Sequence, residues 1–220
     1  MQNVTILLPA LNEAQAIGKV IDEIKDCGYY NIMVIDNGST DSTQAMALER
    51  MVQVKEEKRK GKGYAIKNGL EYLATPYVIM MDSDYTYPAK YIKEIHELLK
   101  DYDVVMAERH IRLDNSMTLT NLLGNRLLSL MGSILFWFWT SDICTGMWGF
   151  RMEAIEKFNL NSPHFTLEAD FFTNARLKKC RIARMPIQYR SRLHGSRSHL
   201  TILHGLQIGW FLIKRRLGMV

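Results

Sequence analysis

The last fifty residues of this 220-residue chain contain no aspartate or glutamate. Eleven Lys and Arg fall there, leaving 17 of the 28 basic residues against 23 acidic ones before them, so a first part near −6 sits under an overall charge of +5. So one-sided a tail faces an anionic partner: substrate phosphates, an acidic membrane surface or nucleic acid. No helix-turn-helix, zinc-finger or ribonucleoprotein signature accompanies it, which makes nucleic acid the weakest of the three. Cysteine is scarce. Cys27, Cys144 and Cys180 are odd in number, widely spaced and in no metal-ligand pattern, which excludes a disulfide framework and points to reduced thiols in a cytosolic compartment. No uninterrupted apolar run is long enough to span a bilayer, and Met1 to Ala14 lacks a basic start and breaks at Pro9, unlike a signal peptide. A Walker loop and a Gly-x-Gly-x-x-Gly after the first strand are both missing, so nucleotide-hydrolase and dinucleotide-binding readings lose support. Repeats and low-complexity tracts are absent. The length fits one large domain, or one domain with an appendage.

What is present is an alternation of short apolar runs with helical patterns. Strands are expected at Val4 to Leu8, Ile32 to Ile35, Met51 to Val54, Tyr77 to Met81 and Val104 to Ala107. Helices are expected at Glu13 to Cys27, near Ser42 to Arg50, at Gly63 to Leu73, Ala89 to Lys100 and Glu168 to Lys179. Such β/α alternation implies a mostly parallel, doubly wound sheet with right-handed crossovers.

Asp82-Ser83-Asp84 follows the apolar run Tyr77 to Met81. Two carboxylates one residue apart then sit at the carboxyl end of a strand, where open α/β sheets bind ligands. They suit a hard divalent cation that in turn holds a diphosphate. Asp-x-Asp alone is better explained by a helix cap and a solvated side chain. The other segments at strand ends change that balance: Pro9-Ala10-Leu11-Asn12-Glu13, Asp36-Asn37-Gly38-Ser39-Thr40-Asp41, Gly61-Lys62-Gly63, Arg109, Asp142-Ile143-Cys144-Thr145-Gly146 and Arg192-Leu193-His194-Gly195-Ser196.

In this order these segments, over roughly residues 3 to 200, resemble family 2 glycosyltransferases, and within them dolichol-phosphate mannose synthases and archaeal-type polyprenyl-phosphate hexose transferases. The resemblance implies a GT-A fold (α/β, doubly wound, mostly parallel and Rossmann-like) and an anomer-inverting transfer from a nucleotide sugar. It implies that Pro9, Leu11, Glu13, Asp82 and Ser83 line the nucleotide, that Asn37 reads the base, and that Asp82 and Asp84 hold Mg²⁺ or Mn²⁺. Where the family has a second acidic residue, Asn37 can donate as well as accept, so uracil and guanine both stay open. A UDP-hexose is preferred, because the Asp-Asn-Gly-Ser-Thr-Asp and Asp-Ile-x-x-Gly segments resemble archaeal-type UDP-sugar enzymes; GDP-mannose is the alternative. A glutamine that touches the metal in dolichol-phosphate mannose synthases is replaced here by Thr86. Lys62 lies in a charged glycine-flanked loop that reads equally well as a solvated turn.

An acceptor of the polyprenyl- or dolichyl-phosphate class needs no strong base, since a phosphate monoester is mostly dianionic at neutral pH. It needs positive charge around two phosphorylated substrates. Asp84, Arg109 and Arg192 are the expected catalytic residues, with Arg126, Arg190 and Arg197 on phosphate or acceptor. Glu168 and Asp170 stand where relatives acting on hydroxyl acceptors keep a base, and read equally well as helix N-terminal charges. A sugar hydroxyl is therefore the alternative acceptor, and a silent nucleotide-sugar-binding subunit is the non-enzyme alternative.

Two stretches point at a membrane without crossing it. In residues 117 to 139, Asn125, Arg126, Ser129, Gly132 and Ser133 share one helical face, and Leu123, Leu127, Leu130, Ile134 and Phe138 the other; packing of that apolar face into the core is its more frequent fate. Residues 199 to 220 form a basic amphipathic helix with Trp210, Phe211 and Lys214-Arg215-Arg216. The expected organisation is a catalytic domain over residues 1–198 followed by this helix, attached peripherally at the cytoplasmic face of a membrane.

Overall fold

The computed structural model describes residues 3–112, 117–162, 164–193 and 201–219. A seven-stranded sheet runs through it in the order β3-β2-β1-β4-β6-β5-β7. Its strands are β1 (Val4–Ala10), β2 (Ile32–Asp36), β3 (Gln53–Glu56), β4 (Tyr77–Met81), β5 (Val104–Arg112), β6 (Met147–Arg151) and β7 (Ile182–Tyr189). Helices α1 (Ile17–Asp26), α2 (Thr43–Leu48), α3 (Lys62–Leu70), α4 (Ile92–Leu98), α5 (Leu119–Phe136), α6 (Met152–Ile155), α7 (Leu167–Leu177) and α8 (Ile202–Arg216) cover it.

Both faces of the sheet are apolar, as a sheet covered by helices on both sides requires. Val4, Ile6 and Leu8 of β1 point to one side, with Ile17, Val20, Ile21 and Ile24 of α1 and Ile92 and Ile95 of α4. Leu7 points to the other, with Ala65 and Ile66 of α3, Phe171 and Phe172 of α7, and Ile208 and Leu212 of α8. The spacing of the α1 residues makes one continuous stripe. That helix stops in a Schellman closure: Gly28, at φ +85°, donates to Lys25 O, and Tyr29 donates to Ile24 O. It begins at Ile17 and not at Glu13, because the first turn is a tight bend in which Ala16 and Ile17 N–H both donate to Glu13 O.

β1, β2, β3 and β4 run parallel, and so do β5 and β7. From β1 the chain first builds outward through β2 and β3, then returns to place β4 on the other side of β1. That reversal is a topological switch point, with its crevice at the carboxyl ends of β1 and β4. The two strands pair only from Val4↔Tyr77 to Leu7↔Met80. Beyond Leu7 they separate, and Ser83 Oγ donates to Pro9 O at 2.8 Å in place of a ladder bond. β6 and β7 were not visible in the sequence pattern. β6 is antiparallel to both β4 and β5, with Met147 opposite Met81. It therefore enters the sheet at the carboxyl edge of β4 and brings the loop 142–146 there.

Helix α5 is inverted relative to an ordinary surface helix. Asn125, Ser129, Gly132, Ser133 and Phe136 are buried, whereas Leu123, Leu127, Leu130 and Ile134 are exposed. The polar face turns inward because it is used: Ser129 Oγ accepts from Ile143 N–H, and Asn125 donates to Asp142. Gly132 lets Ile143, Phe172 and Leu212 approach the helix. The expectation that the leucines pack into the core is therefore reversed. α8 packs on α5 and α7, sending Ile208 and Leu212 into the core and leaving Leu203, Leu206 and Trp210 outside. None of the helices of the described residues is long and apolar enough to cross a membrane.

Arg215 of α8 is buried, 3.6 Å from the buried carboxylate of Asp170 on α7, and its Nε donates to Thr173 Oγ1. Breaking a buried pair from one side costs about 3–5 kcal/mol, because the remaining charge stays buried. Arg215→Leu should thus lower stability in urea unfolding by about that much, and adding Asp170→Asn should recover part of it; a loss under about 1 kcal/mol would show that α8 is only loosely attached.

Candidate active site

The loop after β1 and the loop after β2 are stitched together by polar contacts. Asn12, at φ +56°, donates its N–H to Ser39 Oγ and accepts from Thr40 N–H through Oδ1. Glu13 N–H donates to Thr43 Oγ1, and Ala14 N–H to Asp41 Oδ2. Asp36-Asn37-Gly38-Ser39-Thr40-Asp41 thus shapes the segment Pro9 to Glu13, in addition to opening α2 through the bond from Thr43 N–H to Asp41. Leu11 is left half exposed at the rim.

Asn37 is buried and held by the next loop. Its Nδ2 donates to Glu57 O and Arg59 O at 3.1 and 2.7 Å, and its Oδ1 accepts from Gly61 N–H at 2.8 Å. Both amide hydrogens are spent on backbone, so what remains for a ligand is acceptor capacity on Oδ1. Asn37 therefore presents the same polarity that a carboxylate would, which uracil and guanine can both use.

Asp82 and Asp84 lie at the mouth of the crevice. Asp84 is buried; Thr86 donates to its Oδ1 from N–H and from Oγ1, and Arg192 Nη2 lies 2.7 Å from Oδ2. Thr86 thus orients Asp84 from behind. Asp82 Oδ1 is 2.5 Å from Lys62 Nζ, and the same ammonium is 2.6 Å from Glu168 Oε1. Gly146 is required beside it, since a Cβ there would overlap the Asp82 carboxylate. Gly146 N–H in turn donates to the buried Tyr87 hydroxyl at 2.6 Å.

Carboxylates crowd this edge. Burial, then the neighbouring Asp84 charge, push Glu13 from 4.5 up to about 7. Burial and Asp82 raise Asp84 as well, against the pull of Arg192. Burial opposes the charge of Lys62, but Asp82 and Glu168 outweigh it and raise its pKa. Acidic side chains forced together in this way favour a cation between them. No cluster of three or more metal-ligating side chains exists among the described residues. A pair of aspartates fits an ion of the Mg²⁺ kind, which takes one or two carboxylates and completes its shell with water and substrate phosphates.

Arg109 lies deeper. Its Nε and Nη2 grip the two oxygens of Asp142 at 2.6 Å each, Nη2 also donates to Cys144 O, and Tyr189 lies under the guanidinium. Asp142 further accepts from Arg109 N–H and Asn125 Nδ2. This network fixes the loop 142–146, so Arg109 supports Gly146 and Asp82 from behind. Arg190 is occupied by both oxygens of Glu23 at 2.8 Å and stacks on Tyr85. Arg126 is exposed on α5. Arg197 lies outside the described residues. Glu168 faces the site, whereas Asp170, two residues on, faces α8: it accepts from Asn161 and Ser162 N–H and Asn174 Nδ2 and pairs with Arg215, and burial raises its pKa. The structure thus brings together Pro9, Glu13, Ser83, Asp82, Asp84, Glu168 and Arg192, and adds Lys62 and Thr86.

A family model described as glycosyl transferase family 2 matches residues 5–158. Glycosyltransferase AglJ of Haloferax volcanii is 32% identical over 200 residues, covering 90% of this chain and 66% of the relative. A dolichyl-phosphate hexose transferase of the same organism is 30% identical over 194 residues, covering 86% and 84%. A UDP-N-acetylglucosamine–dolichyl-phosphate N-acetylglucosaminyltransferase of Methanococcus voltae is 23% identical over 98% of this chain and 96% of its own length. Among solved structures, glucosyl-3-phosphoglycerate synthase of Mycobacterium tuberculosis, bound to Mn²⁺, UDP and glucosyl-3-phosphoglycerate, superposes with a TM-score of 0.77 at 22% identity, over 99% of this chain and 80% of that one. The chain thus spans just under two thirds of AglJ and more of the other two relatives named.

Glu13 gives the site a pH signature. Its raised pKa means that the folded protein holds this proton more tightly than the unfolded chain, so the stability it contributes is full below about 4.5 and is lost as pH rises through about 7. In EDTA, the melting temperature of Glu13→Gln should gain on that of the original protein as pH is raised from about 4.5 to about 7.5. Parallel pH profiles would contradict the crowding.

Proposed function

The chain belongs to glycosyl transferase family 2 and has the GT-A fold, and from that footing we propose that it moves a hexose from a UDP-sugar onto a polyprenyl or dolichyl phosphate with inversion. The observation that carries this is the Asp82–Asp84 pair in the switch-point crevice, faced by Glu13, Lys62 and Arg192. Asp82 and Asp84 would hold Mg²⁺ or Mn²⁺. The ion would neutralise charge developing on the departing diphosphate. The nucleotide would lie along Pro9, Leu11 and Ser83, its base toward the Oδ1 of Asn37. UDP with Mn²⁺ in the structural neighbour and the UDP-sugar donor in the name of the Methanococcus relative support this choice.

The acceptor follows from Glu168. In this position a base would deprotonate a hydroxyl, but here the carboxylate is held by Lys62 at 2.6 Å. That carboxylate already has an ammonium as its partner, and a phosphate acceptor does not require a base. A phosphate oxygen of the acceptor attacks the anomeric carbon as its bond to the diphosphate oxygen breaks. Arg192 stands at the edge of the carboxylate pair to hold one of the two phosphorylated groups, and Arg126 is exposed toward an acceptor arriving along α5. The dolichyl-phosphate transferases among the relatives favour this acceptor class.

The same reading places the protein peripherally on the cytoplasmic face of a membrane. α5 and α8 pack side by side, with Leu123, Leu127, Leu130 and Ile134 exposed on one and Leu203, Leu206 and Trp210 on the other. Neither helix contains a carboxylate, while Lys214 and Arg216 flank the apolar face. An apolar strip with a basic margin suits the headgroup boundary of an anionic leaflet.

Asp84→Asn should abolish transfer from a UDP-hexose to a polyprenyl phosphate while leaving the fold intact, and Glu168→Gln should cost at least about tenfold less activity. Equal loss from both variants would favour a hydroxyl acceptor, and near-normal turnover of Asp84→Asn would remove the metal assignment. Melting with Mn²⁺ should rise with UDP-sugars more than with GDP-sugars.

The membrane surface is tested by co-sedimentation with anionic vesicles at low salt. Binding should weaken on Leu127→Gln with Leu206→Gln and Trp210→Gln, and also at high ionic strength. Unchanged binding by the triple variant would contradict it. These side chains are exposed, so the test avoids the instability that removal of α8 would cause.

A further inference from the structure

Each carboxylate assigned to the cation is already matched by a cation of the protein itself. Lys62 Nζ sits 2.5 Å from Asp82 Oδ1, and Arg192 Nη2 sits 2.7 Å from Asp84 Oδ2. We propose that Lys62 is a built-in competitor for the divalent ion, so that metal and nucleotide diphosphate occupy this site in concert and neither fills it well alone. The inference rests on the donor reading above and goes beyond it by giving Lys62 a role in the order of binding.

The placement of Lys62 is not that of a free surface side chain. It is the first residue of α3, and the preceding Gly61, at φ +138°, takes a backbone conformation that L side chains rarely adopt. Gly61 N–H is tied to Asn37 Oδ1 at 2.8 Å, so the base of the lysine is fixed by the same residue that faces the nucleotide base. Its ammonium then bridges two carboxylates from distant parts of the chain, Asp82 and Glu168. Glu168 acts as a second anchor that keeps Lys62 within the site when Asp82 is given up, which makes it a positioning residue.

Charge explains the coupling. Asp82, Asp84 and Glu168 bring three negative charges, and Lys62 and Arg192 two positive ones. A divalent ion entering alone must separate Lys62 from Asp82 and brings two more positive charges beside Lys62 and Arg192. A diphosphate entering alone meets Asp82 and Asp84. Entering together they compensate each other, and the phosphates give Lys62 and Arg192 new acidic partners. Each ligand thereby removes the obstacle to the other, which is a positive coupling and reciprocal by linkage.

The test reads metal binding and needs no turnover. Mn²⁺ binding is followed through the electron-spin signal of the free ion, with and without UDP, and with protein-free titrations to subtract the Mn²⁺–UDP complex. In the original protein UDP should tighten Mn²⁺ binding by about tenfold or more. In Lys62→Met the nucleotide-free protein should bind Mn²⁺ about tenfold more tightly, with the UDP effect reduced toward none, whereas Lys62→Arg should behave as the original. Unchanged or weaker nucleotide-free binding by Lys62→Met overturns the proposal, as does an absence of coupling in the original protein. That second measurement holds even if the variant does not fold. Failure of UDP to bind under any condition would instead contradict the donor reading, so the two failures are distinguishable.

Discussion

Negative charge concentrated at one sheet edge is the constraint around which this protein is arranged. Glu13, Asp82, Asp84 and Glu168 converge from three segments of the chain, and two cations of the protein hold three of them: Lys62 takes Asp82 and Glu168, and Arg192 takes Asp84. Glu13 feels Arg192 as well, but burial and the charge of Asp84 outweigh that pull and raise its pKa to about 7. A core would not gather such charges for stability, because burial raises the cost of each one. Their convergence at a switch point makes sense as preparation for cationic and phosphorylated ligands.

The supports around this edge explain several buried polar groups that would otherwise be costly. The reversed strand β6 delivers Gly146 against Asp82, and the loop leading to it is fixed by Asp142, which accepts from Arg109 and Asn125. Thr145 Oγ1 donates to Ala107 O, and Ser129 of α5 takes Ile143 N–H, so the loop is held from strand and helix alike. This is why α5 turns its polar residues inward and displays its leucines. Placement of the acidic pair and exposure of an apolar strip are two consequences of one packing choice.

Much of this was legible in the sequence. Tyr77 to Met81 stands as a strand with the residues expected, and the segments after β1, β2 and β4 do meet at one edge. β6 and β7 were missed. Met147 to Arg151 is short, follows a turn and is apolar on both faces, so it has no period to read, and Pro186 interrupts Ile182 to Tyr189. The roles of particular side chains depended on contacts far apart in sequence. Lys62 stayed undecided between the site and a solvated turn because its partners lie 20 and 106 residues away. Arg109 read as a catalytic cation, and its grip on Asp142, 33 residues on, shows a strut of the site. Asp170 and Glu168 were indistinguishable as neighbours on a helix start; a two-residue step around α7 sends one to Arg215 and the other to Lys62.

On the proposed reading, Asp82 and Asp84 would together hold a divalent ion against a nucleotide diphosphate. Anomalous scattering at the manganese edge, from crystals grown with Mn²⁺ and UDP, tests it directly. One strong peak is expected at about 2.1 Å from an oxygen of each aspartate and of the diphosphate, with Lys62 Nζ no longer within hydrogen-bonding distance of Asp82. A peak bound by neither aspartate, or UDP seated in the crevice with Lys62 still on Asp82 and no ion, would contradict it.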